Sequence, residues 1–185
     1  MTDKIKVGLV GIGNCFSGLI QGIEYYKQNP SQEVTGIIHD NLAGYGIHDI
    51  DFVCGFDVAE NKVGIPLMDA IYESPNMVNW IPKDKMPKTD AKIYESPILD
   101  GVGIWVENKI NPLTSTKTDE QLSEEAKKVL KETGTEIIVS YLPVGSDKVT
   151  QFWAQVCLDT GIAFVNCIPS FIASDETWAK KFQDK

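Results

Sequence analysis

The sequence predicts an α/β fold: a doubly wound parallel sheet with helices on both faces. Three observations predict it. Short apolar runs alternate with stretches whose apolar residues recur at helical spacing. The first apolar run, "VGLVG", leads through Gly11 and Gly13 into the next helix. The last third of the chain repeats a helix–strand order, with helix stops at Gly134 and Gly161.

The elements follow in order. Residues 4–10 form the first strand. Residues 14–27 form the first helix, with Leu19, Ile20, Ile23 and Tyr25 or Tyr26 as its apolar face. Residues 29–51, with Pro30 and several glycines, read as an irregular insertion. "FVCGF" at 52–56 is a second strand that ends at Asp57, and 63–72 is a turn with a short helix. Residues 75–117 hold Pro75, Pro82, Pro87, Pro97 and Pro112 and read as a second insertion, loops and short elements over the core with a short strand at 91–94.

From residue 118 the pattern sharpens. Thr118 caps a helix that carries Leu122, Ala126, Val129 and Leu130, and Gly134 ends it. "EIIVSY" (136–141) is a strand. Ser146 caps a helix to about residue 160, and "IAFVNC" (162–167) is another strand. Ser174 caps the last helix, with Asp175 and Glu176 in its first turn and Lys180 and Lys181 in its last, an order that suits the helix dipole.

Composition narrows the function. The 185 residues suit one domain, 1–185, and carry a net charge of −9. That charge argues against nucleic acid or an anionic membrane as partner, yet backbone N–H groups can still bind a phosphorylated ligand. No run reaches the ~20 apolar residues of a membrane span, and the N-terminal residues lack a signal-like apolar region. The expected location is the cytoplasm. Cys15, Cys54, Cys157 and Cys167 form no C-x-x-C and read as reduced, mostly buried thiols. His39 and His48 read as solvated loop residues, so no metal site is expected. Ser140, Ser146 and Ser170 have no nucleophile-elbow context and no histidine partner, and read as strand-end or capping residues.

In a parallel sheet of this kind, ligands bind beyond the carboxyl ends of the strands. The segments there are 11–15, Asp57, 141–145 and 166–169. Gly11 and Gly13 supply the first two positions of G-x-G-x-x-G, a tight turn and a close approach of backbone to diphosphate. The third position is Phe16, which leaves Gly18 to give the close helix–sheet contact. Two readings stand at this point, a structural turn and a dinucleotide site. Asp57 likewise reads as a ribose acceptor or as a turn aspartate. As a ribose acceptor it favours NAD over NADP, because a carboxylate repels a 2′-phosphate, and the chain contains no arginine.

Several segments together resemble the bacterial and archaeal myo-inositol-1-phosphate synthases (inositol-3-phosphate synthases): "GIGNCFSGLIQGIEYY", "FVCGFDVAENKVG", "LDGVG", "VSYLPVGS" and "AFVNCIPSFIASDETWAKKF". The resemblance runs over almost the whole chain and is weakest across 75–95 and 103–120. It implies a Rossmann-like domain that binds NAD and a conversion of glucose 6-phosphate to inositol phosphate by oxidation, enolisation, ring closure and reduction. It implies a cofactor site at Gly11, Gly13, Asn14, Cys15 and Asp57, with Ser140, Tyr141, Leu142 and Pro143 on the nicotinamide side and Asp100 as a weaker rim candidate. In the family a second α/β domain carries the catalytic lysines and most of a tetramer interface. These 185 residues do not include it, so no catalytic residue is assigned and a homo-oligomer is expected only with that domain. The alternative is a stand-alone dinucleotide-binding module without activity of its own.

Overall fold

The computed structural model describes residues 4–30, 35–103 and 107–185. Residues 1–3, and those parts of the two insertions that comprise 31–34 and 104–106, lie outside the described residues. Strand β1 is Ile5–Val10, and helix α1 is Asn14–Gln28. Strand β2 is Ile50–Asp57, the short helix α2 is Leu67–Ala70, and strand β3 is Ile93–Glu95. Then come helix α3 (Asp119–Thr133), strand β4 (Ile137–Ser140), helix α4 (Asp147–Thr160), strand β5 (Ala163–Asn166) and helix α5 (Glu176–Gln183).

The five strands form one all-parallel sheet in the order β3-β2-β1-β4-β5. The order reverses at β1, between its neighbours β2 and β4. This is the Rossmann-like, doubly wound arrangement. Alternation along β1 splits the core in two. Val7 and Leu9 join Phe16, Ile20 and Ile23 of α1, together with Leu67, Ile71, Ile81 and Ile93, on one face. Val10 joins Cys54, Phe56, Leu130 of α3 and Trp153 of α4 on the other. Burial of both faces of the inner strands β1 and β2 fixes their register, while the edge strand β5 leaves Ala163 and Val165 exposed.

Two glycines inside the sheet are needed for space. A Cβ on Gly8 would lie 2.6 Å from Ile138 Cδ1, and one on Gly55 would lie 2.7 Å from Ile93 Cδ1. Gly18 does not give the close helix–sheet contact anticipated for it. Its missing Cβ faces the ring of Trp80, 3.5 Å away, on the outer side of α1. Phe16 is fully buried and meets Tyr141 edge-on, with ring centroids 4.7 Å apart.

The apolar face of α1 also differs from expectation. Leu19 is 38% exposed, while the polar Ser17 and Gln21 are wholly buried. These two side chains pin the start of the second insertion and the segment before it. Ser17 Oγ donates to the carbonyl of Ile71 at 2.8 Å and lies 3.5 Å from that of Val78. Gln21 Nε2 donates to the Val78 carbonyl, and Gln21 Oε1 accepts from the N–H groups of Trp80 and Ile81. Buried polar groups with every bond made specify one arrangement, which is how a proline-rich stretch is fixed here without long strands or helices.

Candidate functional site

β1 ends at Val10, and Gly11 turns the chain with φ +84°. A Cβ on Gly11 would meet the carbonyl oxygen of Tyr141 at 3.1 Å, so the turn after β1 lies directly against the loop after β4. Gly13 precedes α1 in an extended conformation, and no side chain caps that helix. The first-turn N–H groups of α1 therefore lack a side-chain acceptor and present the positive end of the helix dipole. A Cβ built on Gly13 would meet no protein atom within 4 Å.

The turn is braced at both backbone groups of one residue, Ile12. Asp57, at the end of β2, accepts from Ile12 N–H at 2.7 Å through Oδ2. Its Oδ1 accepts from the N–H groups of Val58 and Ala59 at 2.8 and 2.9 Å. On the other side, Lys62 Nζ donates to the Ile12 carbonyl at 2.7 Å and to Asn76 Oδ1 at 3.1 Å. Asn76 Nδ2 donates to the same Ile12 carbonyl and to that of Ile71, both at 3.1 Å. Asn14 Oδ1 accepts from Met77 N–H and draws the 75–78 segment toward the start of α1. Burial pulls the Lys62 ammonium below the usual lysine range, and the nearby Asp57 and Glu73 carboxylates work the other way.

Around this turn lies a cleft of about 300 Å³. Gly11, Gly13, Asn14, Asp57, Tyr141, Leu142 and Pro143 all line it, as the sequence anticipates. Cys15 and Ser140 do not. Cys15 is exposed. Ser140 is wholly buried in the sheet, and its Oγ has no hydrogen-bond partner among the described residues. Residues 96–103 of the second insertion form the facing wall.

Asp100 sits on that wall and has a defined task. Its two oxygens accept from the N–H groups of Lys148 and Val149, at 3.0 and 2.9 Å, at the start of α4. This corrects the expectation that Ser146 caps α4, since the Ser146 side chain makes no capping bond. At α5 the cap is Asp175, whose Oδ1 accepts from Trp178 N–H, rather than Ser174. Of the four free thiols, Cys54 and Cys157 are buried while Cys15 and Cys167 are exposed, so half rather than most are buried. Among the described residues no cluster of side chains could hold a metal ion. No described helix is long and apolar enough to cross a membrane.

Sequence reasoning missed Lys62 and Asn76. A signal existed for Lys62: it is the one lysine between Lys27 and Lys83, and it follows the acidic end of β2 by five residues. Lysine is almost never fully buried, so its 3% exposure was not legible.

A glycine turn, an uncapped helix start and an acidic strand end meet where the strand order reverses. That defines a Rossmann-like α/β protein with an open crevice at the switch point. Relatives agree with this class and narrow it. The chain is 42% identical to the inositol-3-phosphate synthase of Mycolicibacterium smegmatis over 182 residues, 98% of this chain and 48% of that protein. It is 42% identical to the inositol-3-phosphate synthase of Corynebacterium glutamicum over 184 residues, again 48% of that protein. A crystal structure of Ari2 superposes with a TM-score of 0.80 at 25% identity, covering 98% of this chain and 52% of that one. A myo-inositol-1-phosphate synthase-related protein from Thermotoga maritima shares the fold, with a TM-score of 0.71 at 20% identity, over 96% of this chain and 51% of that one. No family model matches. The chain is thus a relative of the inositol-3-phosphate synthases, and it spans about half the length of the curated relatives it matches.

Proposed function

We propose that this chain is the NAD-binding part of an inositol-3-phosphate synthase, and that the whole enzyme converts glucose 6-phosphate to myo-inositol phosphate. One observation carries the reading. In a chain 42% identical to such synthases, Gly13 leaves open space at the uncapped start of α1. A diphosphate can approach the backbone there and meet the helix dipole.

Bound NAD supplies the acceptor and donor of hydride for the sugar's oxidation and later reduction. This chain's residues hold and orient it. The turn at Gly13 and the first-turn N–H groups of α1 receive the diphosphate. Asp57 already accepts three N–H bonds, and a carboxylate offers about four lone-pair positions, so one is left for a ribose hydroxyl. Tyr141, Leu142 and Pro143 form the wall on the nicotinamide side. Asn14 fixes the 75–78 segment beside the turn. Cys15 and Ser140 lie off the cleft wall, and no side-chain role is given to them.

The test is a calorimetric titration of the chain with NAD and with NADP. NAD is expected to bind roughly tenfold or more tightly than NADP, because the Asp57 carboxylate faces the place a 2′-phosphate would take. Equal affinities would remove Asp57 from the ribose subsite. No binding of either would remove the dinucleotide reading.

A further inference from the structure

The cleft has an unbalanced charge. A dinucleotide's diphosphate would bring two negative charges into a protein whose net charge is already −9 and which has no arginine. Among the described residues that line the cleft, Lys62 is the one cation. It is 3% exposed and bonds the carbonyl of Ile12, the residue between the two turn glycines. An ammonium has three N–H donors. Two are placed, on the Ile12 carbonyl and on Asn76 Oδ1. The Asp57 carboxylate lies near enough to favour the charged lysine, yet among the described residues no ion pair or hydrogen bond joins the two.

A lysine buried only to brace a turn is an expensive choice, because a neutral donor would serve the Ile12 carbonyl at lower desolvation cost. Asn76 Nδ2 already donates to that carbonyl. The charge itself is what Asn76 does not provide. We propose that Lys62 is a ligand-binding residue for the diphosphate of the dinucleotide, directing its charge and its third N–H toward the phosphate oxygens at the Gly11–Asn14 turn. The proposal rests on the dinucleotide reading above and adds to it the residue that balances the phosphate charge. In a low-dielectric cleft, one fixed ammonium acts on the phosphates far more strongly than the solvated lysines outside.

The experiment compares two probes, ADP and adenosine, by calorimetry on the 185-residue chain and on two variants. Lys62→Met keeps the length of the stem and removes the charge. Asn76→Asp keeps Lys62 and neutralises it with an adjacent carboxylate, which gives a second route if Lys62→Met fails to fold. Thermal melts without ligand establish which variants are folded. The expected result is a loss of ADP affinity of roughly 10- to 100-fold in each folded variant, with adenosine changed less than about threefold. A purely structural brace would weaken both probes in parallel, and that result overturns the role given to Lys62. If the unaltered chain binds adenosine and ADP equally, Lys62 has no phosphate to act on and the proposal also fails. If the unaltered chain binds neither, the dinucleotide reading itself is overturned.

Discussion

Asp57 shows why a single residue resists a single role. The residue is 9% exposed, and its carboxylate holds three backbone N–H groups, one of them in the glycine turn. Asp57→Ala would strand those donors, so it is expected to cost about 2–4 kcal/mol of stability, read by urea unfolding, as well as nucleotide affinity. An unfolding midpoint equal to that of the unaltered chain would mean that the bonds to Asp57 are replaceable. Cys157 makes a different prediction. Burial pushes its thiol up to about 12, from an ordinary value near 9. The folded state therefore keeps a proton that the unfolded chain releases, so this group contributes stability below pH 9 that is lost as pH rises toward 12. The alkaline loss approaches about 1.4 kcal/mol per pH unit for one such group. Cys157→Ala is expected to flatten that limb in unfolding measured from pH 8.5 to 10.5, and an unchanged slope would assign the effect elsewhere. Lys62, shifted downward by burial, acts with the opposite sign, so the comparison of the two proteins isolates the thiol. At this scale the position of Gly11, Gly13 and Asp57 at the ends of β1 and β2 was legible, because both strands are apolar runs with clear ends, while the choice between a turn role and a ligand role was not. Lys62 and Gln21 were not, because their burial depends on partners 50 or more residues away.

Elements were legible where caps and stops are local. Thr118 and Gln121 form a capping box at α3, and Gly134 closes that helix in the left-handed region, as the sequence anticipates. Thr118→Ala is expected to cost about 1 kcal/mol. Where the cap comes from far away, local reading failed. α4 is capped by Asp100, 48 residues before Lys148, and nothing near residue 146 announces it. This long-range cap also ties the facing wall of the cleft to a helix end. Asp100→Ala is expected to cost about 1–2 kcal/mol and to loosen the 96–103 wall, visible as faster amide exchange there. Protection unchanged across 96–103 would show that the wall stands without the cap. The start of the second insertion was illegible for a related reason: residues 78–81 are held by the side chain of Gln21, not by their own periodicity.

At the scale of the whole molecule, the sheet order places every cleft-lining loop at one end. Reversal at β1 leaves the turns after β1, β2 and β4 side by side, and the two cores hold them there. Alternating apolar strands and amphipathic helices made this architecture readable before any coordinate, since both faces of a parallel sheet must be covered. The proposed dinucleotide site depends most on the open space at Gly13. Gly13 is extended, at φ −94° and ψ −165°, and its Cβ would touch no protein atom. Gly13→Ala should therefore fold as well as the unaltered chain, within about 0.5 kcal/mol. The most direct test is an NAD titration of this variant beside the unaltered protein, with thermal melts of both. The account predicts equal melting and an NAD affinity lowered by roughly tenfold or more, as a methyl group takes the place of closest approach. Equal NAD affinity in the two proteins would contradict it, and the crevice would then be a turn without a ligand.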